Sequence, residues 1–328
     1  MDLSVERAVK MLSGTVSEQV QAAASLSWKA MTANNVSSML TAVKPLVKAL
    51  IYSLKRSSPD DEMLMRCLTF ETAKTLAYLA EDEMARAIII REGAVKPIVG
   101  LLSSKEMHVQ CFAVMAVRIL ACDPTANVPT AAVVPRMVEM LSSISTEIQS
   151  EAAMALANVA TVNKEAIGSI VAAGAVPILV KLLSANVEAV VRTEAAGALG
   201  RLAYDTSTHR VIVNAGAIGP LCSLLVSRTS DMAEKTSAVM ALSHLAYEDE
   251  ECQEMISSSG AIAPLVQLLR AESEEMQELA AQAICNVTSL TPRNAALAIG
   301  CGSIPLLTRL LSTRNCDVQA GVLTSCLS

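Results

Sequence analysis

Nine cysteines and three histidines are the side chains of this 328-residue chain best suited to hold a metal or attack a substrate. The thiols are Cys67, Cys111, Cys122, Cys222, Cys252, Cys285, Cys301, Cys316 and Cys326, and no two share the C-x-x-C spacing. His108 and Cys111 are three apart, so they share a face if the segment is helical. A zinc site needs a second pair at ligand spacing, and none stands in the sequence. An odd cysteine count behind a start that is no signal peptide (Asp2, Glu6, Arg7, Lys10) reads as reduced thiols, most of them small packing residues. Neither phosphate-loop motif occurs, nor does G-x-S-x-G with a partnered His. We therefore expect no enzyme, no cofactor and no metal.

The chemistry of recognition is better supplied. Residues 231–280 carry eleven acids against Lys235 and Arg270, within a chain whose net charge is −6. Glu248, Asp249, Glu250 and Glu251 are the densest cluster and a candidate patch for a basic partner reached by electrostatic steering. Glu272, Glu274 and Glu275 suit the first turn of a helix, where acids favour the macrodipole. Nucleic acid is not expected as a partner, because the chain lacks both a basic excess and stacking aromatics. Membrane insertion is not expected either: the uncharged stretch 211–227 is broken by Asn214, Gly216, Gly219 and Pro220.

The elements that must position these groups are helices. Apolar residues make up 52% of the chain and aromatics 2%, with 51 alanines. That composition argues against a sandwich or barrel and for helices packed closely on helices. A short motif recurs: Gly93-Ala94-Val95, Gly174-Ala175-Val176, Gly216-Ala217-Ile218, Gly260-Ala261-Ile262 and Gly302-Ser303-Ile304, each closely followed by a proline. With Pro45 and Pro135, which lack the Gly, the prolines repeat at about 42 residues. The Gly permits a tight or left-handed joint between a short first helix and a second. The Pro suits the second helix's first turn, where a missing N–H costs nothing. An Ala-rich third helix follows, and stacking of neighbouring units buries a continuous core.

Three helices per unit with this Gly-Ala-Ile/Val-x-Pro joint resemble the armadillo repeat. The resemblance implies an all-α, right-handed α-superhelix, a single solenoid over 1–328. Its repeats are expected at 35–81, 82–123, 124–162, 163–206, 207–248 and 249–290, with 1–34 partial and 291–328 incomplete. Because the last unit stops inside its third helix, the chain is expected to be part of something longer or to continue into a partner. Trp28 falls at a Leu-type packing position.

The resemblance also implies that third helices line a concave groove, where family members hold extended peptides with an Asn near each helix end and a Trp four residues earlier. In this chain the Asn position reads Ala30, Tyr78, Ile119, Asn158, Arg201, His244 and Asn286, and the earlier one Lys74, Met115, Met154, Gly197, Met240 and Gln282. Only two Asn match and no Trp does, so the chain is no close match to importin-α. Lys74, Tyr78, Met115, Met154, Asn158, Arg201, Met240, His244, Gln282 and Asn286 remain the candidate groove. Amides suit backbone recognition, Arg201 a carboxylate or carbonyl, and the methionines an adaptable floor. The expected function is a non-catalytic scaffold or adaptor, cytoplasmic or nuclear, holding an extended segment of another protein. The alternative is a structural subunit of a larger assembly, met through edges and ends. A substrate-recruiting arm of a ubiquitin ligase is a weaker third reading, since no ligase module is present.

Overall fold

A computed structural model describes residues 3–32, 36–55, 61–227 and 229–311. All regular structure among them is helical. Cys316, Cys326 and the end of the last expected repeat lie outside the described residues. The chain divides into two compact units, residues 1–166 and 167–328.

The first unit contains α1 (Val5–Met11), α2 (Val16–Thr32), α3 (Leu40–Lys55), α4 (Glu62–Leu79), α5 (Glu83–Arg91), α6 (Val95–Leu101), α7 (Met107–Leu120), α8 (Thr130–Met140) and α9 (Thr146–Val162). After α10 (Lys164–Ala172), the second unit runs through α11 (Ala175–Leu182), α12 (Ala189–Leu202), α13 (His209–Asn214), α14 (Ile218–Val226) and α15 (Met232–Ala246). It ends with α16 (Glu250–Ser258), α17 (Ile262–Leu268), α18 (Glu274–Thr288), α19 (Pro292–Gly300) and α20 (Ser303–Leu311). In the first unit the third helices stack in the order α2, α4, α7, α9. In the second unit α12, α15 and α18 do the same, and each third helix also packs on its own second helix.

The five joint glycines all have φ between 78° and 84°. A Cβ at any of them would meet nothing within 4 Å, so glycine is needed there for its backbone conformation and not for space. The turn bends the first helix from the second by 81° to 84° at α10–α11, at the segment 206–214 with α14, and at α19–α20. In these repeats the proline is the third residue of the second helix, as the spacing predicts.

The two repeats without the Gly fold differently. Their first helix shrinks to a 3₁₀ turn, Ser37–Met39 or Pro124–Ala126, and Pro45 and Pro135 lie inside the longer helices α3 and α8. The expectation of three α-helices in every repeat fails here: neither has the joint Gly, and where the second still turns through a left-handed residue, Asn127 (φ 45°), that residue ends a 3₁₀ turn and not an α-helix.

The alanines are where third helices meet. Ala73, Ala77, Ala113, Ala116, Ala152, Ala155, Ala195, Ala198, Ala238, Ala241, Ala280 and Ala283 are all buried. At Gly200 the approach is closer still: a Cβ would lie 3.1 Å from Met240 Cε and 3.2 Å from the Ala241 backbone. Trp28 departs from its expected packing position. It is 63% exposed and lines a cleft between α1 and α2 with Leu3, Arg7 and Met11. It lies on the side of α2 turned away from the residues buried against the rest of the unit, Ala22, Ala23, Leu26 and Ala30.

Candidate protein-binding face

Three of the ladder positions, Asn158, His244 and Asn286, bond the preceding third helix. Asn158 Nδ2 donates to Arg118 O at 3.0 Å. His244 Nδ1 is 2.7 Å from Gly200 O, and Asn286 Nδ2 is 3.0 Å from Ser243 O and from Ser243 Oγ. Each acceptor is the residue just before the preceding repeat's own ladder position. Near a helix end a carbonyl loses its intrahelical donor. Here the amides of Cys122, Tyr204 and Tyr247 turn to Ile119 O, Arg201 O and His244 O, which leaves the three acceptors open. The ladder side chains thus cap the helices before them. A carbonyl only accepts, so the amide orientation is fixed, and Oδ1 of Asn158 and Asn286 accepts from no described residue.

Around Asn158 the face of the first unit is aromatic and its cations are engaged. The Lys74 ammonium sits over the rings of Phe70 (5.8 Å) and Phe112 (6.0 Å). Tyr78 meets Phe112 edge-on at 5.9 Å, Phe70 meets Phe112 at 5.7 Å, and Phe70 meets His108 at 6.3 Å. Arg118 bonds Glu151 at 2.6 Å and Glu81 at 3.3 Å. Met115 and Met154 are half-buried, while the ladder position at Ile119 is buried. Cys111, the partner proposed for His108, has its thiol pushed up to about 11 by burial, as a packing residue would.

On the second unit the face is more open. Arg201 is exposed and makes no ion pair among the described residues. Tyr204 (69% exposed) meets the His244 ring edge-on at 5.6 Å. Tyr247 (50% exposed) follows at the end of α15, and a hydrogen bond to the Glu248 side chain holds its phenol above the ordinary value. Burial lowers the His244 pKa and nearby Arg201 lowers it further, against the Gly200 bond. The ring is therefore neutral at pH 7, with Nδ1–H donated. Met240 is half-buried against Gly200, Gln282 is exposed and Asn286 half-buried. At the opposite ends of α12 and α15, near their starts, Arg192 Nε bonds Glu234 Oε1 at 2.6 Å, and Glu234 is fully buried while completing a capping box with Asp231.

The acidic patch is partly spent on local structure. Asp249 caps α16 by accepting from Cys252 N at 2.9 Å, and Glu251 pairs with Arg210. Glu248 has a left-handed backbone (φ 53°), and Glu250 sits in the first turn of α16. Phe70, Phe112, Arg118, Tyr204 and Tyr247 belong to these faces and are not among the predicted groove residues. Extending the ladder register by three residues past Arg201 and His244 reaches both tyrosines.

Residues 163–204 and 249–289 match the Armadillo/beta-catenin-like repeat model. The chain is 28% identical over 155 residues to the probable importin subunit alpha-A of Dictyostelium discoideum, a stretch that is 45% of this chain and 28% of that protein's length. A designed armadillo repeat protein superposes with a TM-score of 0.64 at 28% identity, covering 70% of this chain and 98% of its own. Another, solved in complex with peptide (KR)4, gives 0.50 at 25% identity, covering 87% and 98%. Repeat model, glycine joints and stacked third helices agree, and the chain belongs to the armadillo-repeat family.

Proposed function

We propose that this chain is a non-catalytic scaffold that holds an extended segment of another protein on its third-helix faces. The observation that carries the reading is the cluster on the second unit. Two exposed tyrosines, a neutral histidine and an arginine without an ion pair among the described residues stand at the ends of α12 and α15. Tyrosines give rigid contact area and Arg a directed pair of donors, the residue types that dominate binding energy at interfaces. The Asn158 and Asn286 Oδ1 atoms, which accept from no described residue, support this reading as acceptors for a peptide backbone N–H. The peptide complex of a designed armadillo protein supports the same use of the fold. The likeness to a probable importin subunit fits a cytoplasmic or nuclear protein.

A peptide library selected on the chain tests this. Ligands should be recovered whose binding falls on Arg201→Ala, Tyr204→Ala or Asn286→Ala, with the helical circular dichroism unchanged. Ligands indifferent to all three would overturn it.

A second reading, an assembly subunit met through its ends, is favoured by exposed apolar side chains at either end of the described residues. These are Trp28 by α1 and Ile299 (56%) and Ile304 (54%) on α19 and α20. Cross-links from a partner that map to these positions and spare α12 and α15 would select it.

A further inference from the structure

At three junctions a side chain of a first helix, or of the turn before it, ties two repeats together. It reaches back to a carbonyl at the end of the preceding third helix and forward to the start of the next repeat. Arg86 lies between Ala80 O (2.9 Å) and Asp123 Oδ2 (3.8 Å). Gln253 lies between Ala246 O (3.0 Å) and the Thr291 hydroxyl (3.0 Å). His209 lies between Ala203 O, 2.9 Å from Nε2, and Asp249 Oδ2, 3.4 Å from Nδ1.

The Gln253 junction is chemically complete, its amide N–H donated to the carbonyl and its oxygen accepting from the Thr291 hydroxyl, whereas the buried Arg86 Nε meets Asp123 only at 3.8 Å, without a hydrogen bond. The His209 junction is not complete in the same way. A carbonyl only accepts, so Nε2 carries its proton. Nδ1 then faces a carboxylate oxygen, a contact that needs either a second ring proton or a metal ion between the two atoms.

A third ligating atom converges on the same point. The donor atoms of His209, Asp249 and Cys252 all lie within 4.8 Å of one another. Cys252 is the third residue of α16; the corresponding place holds Ala85 in α5 and Asn294 in α19. Among the described residues, imidazole, carboxylate and thiol coincide only at this junction.

We infer that His209 Nδ1, Asp249 Oδ2 and Cys252 Sγ form a site for one divalent cation of the zinc type. The mixed nitrogen, oxygen and sulfur set selects zinc or cobalt over magnesium or calcium. Ligands about 2.0 Å from a tetrahedral ion stand about 3.3 Å apart, close to the observed 3.4 Å. The Nε2–H bond to a backbone carbonyl is the outer contact that fixes a ligating histidine's tautomer. Asp249 is partly exposed and opens the site to solvent, where water completes the coordination. The thiol, pushed up to about 12 first by burial and then by Asp249, keeps its proton in the free protein. On ligation the proton passes to solvent as the sulfur–metal bond forms.

The full chain, stripped with a chelator, is titrated with Co²⁺ and then Zn²⁺. One Co²⁺ per chain is expected, with a thiolate-to-cobalt charge-transfer band that Zn²⁺ removes. Cys252→Ala and His209→Gln should each weaken binding by about 100-fold or more, beyond the loss typical of an outer contact, and the first should abolish the band. Both put in a residue that the chain itself uses at a corresponding place, Ala85 and Gln253, and circular dichroism checks the fold. Cys122→Ser should bind as the parent does. In the unsubstituted chain, Zn²⁺ should raise Tm. Absence of binding, a band that survives Cys252→Ala, or an unchanged Tm would each overturn the site.

Discussion

The third-helix faces of the two units are built on one register but finished differently. On the first unit the charged groups have partners within the face: Lys74 rests on two phenylalanine rings and Arg118 is held by Glu81 and Glu151. On the second unit the buried ion pair joins the starts of α12 and α15, between Arg192 and Glu234, and the helix ends keep Arg201, Tyr204 and Tyr247 exposed. In both, the ladder residue closes the preceding helix. What differs is where the charge sits relative to water. A pair that water still reaches adds less stability, whereas a fully buried pair becomes essential once formed, because either member alone is a stranded charge. The second unit can therefore leave its surface groups open to a partner.

That contrast breaks most readily at Arg192. Arg192→Ala leaves the Glu234 carboxylate fully buried without its cation and should cost about 3–5 kcal/mol. Arg118→Ala on the first unit should cost about 1 kcal/mol, since Glu81 and Glu151 keep access to water. Urea melts of the two variants against the parent measure the difference, and equal losses would remove the distinction between the faces.

The next effect tests how closely the second unit's helices approach. At Gly200 a Cβ is already tight against the Ala241 backbone, which cannot swing aside as a side chain would. Gly200→Val should cost about 1–3 kcal/mol through overpacking. It should also shift Met240, seen as a lowered Tm and a changed Met240 methyl resonance. A neutral result would mean that α12 and α15 are free to slide apart.

The fold was legible because the repeat writes its geometry into residue types. A Gly whose φ must be positive and a Pro at the third helical position are local demands, readable one unit at a time. The two Gly-less units were harder, since nothing in their proline spacing says that the first helix shortens. The ladder's register was legible at Asn158 and Asn286, but its role was not. An amide's partner depends on which carbonyls the next helix turn leaves open, a three-dimensional fact. Tyr204 and Tyr247 lie three residues past the ladder, outside the two positions that the resemblance marks. The Arg192–Glu234 and His209–Asp249 contacts, about forty residues apart in sequence, appear only once repeats are stacked.

Binding should separate the faces by a smaller margin. Under the proposed function, Arg201→Ala and Tyr204→Ala should each weaken a selected peptide by about 1–2 kcal/mol, roughly 5–30-fold. Lys74→Ala should weaken it less, since that ammonium already rests on Phe70 and Phe112. Fluorescence anisotropy with one peptide and the three variants ranks them. A larger loss at Lys74 would move the binding surface to the first unit.

The smallest expected effect is one of pH. Burial holds the His244 imidazole below its ordinary value near 6.5, with Arg201 and His209 adding to the shift. Where the folded pKa lies below the unfolded one, the unfolded chain binds more protons, so stability rises with pH. His244's contribution is complete above the unfolded value and falls away as the pH drops below it. The counterpart on the first unit, Asn158, makes the same bond to a helix-end carbonyl and does not titrate. His244→Asn should therefore keep the bond to Gly200 O and flatten the Tm profile between pH 7.5 and 5.5, while the parent loses stability over that range. If both chains melt alike at both pH values, the imidazole is not held neutral between α12 and α15. The two faces would then differ in surface chemistry alone, and not in what they demand of the proton.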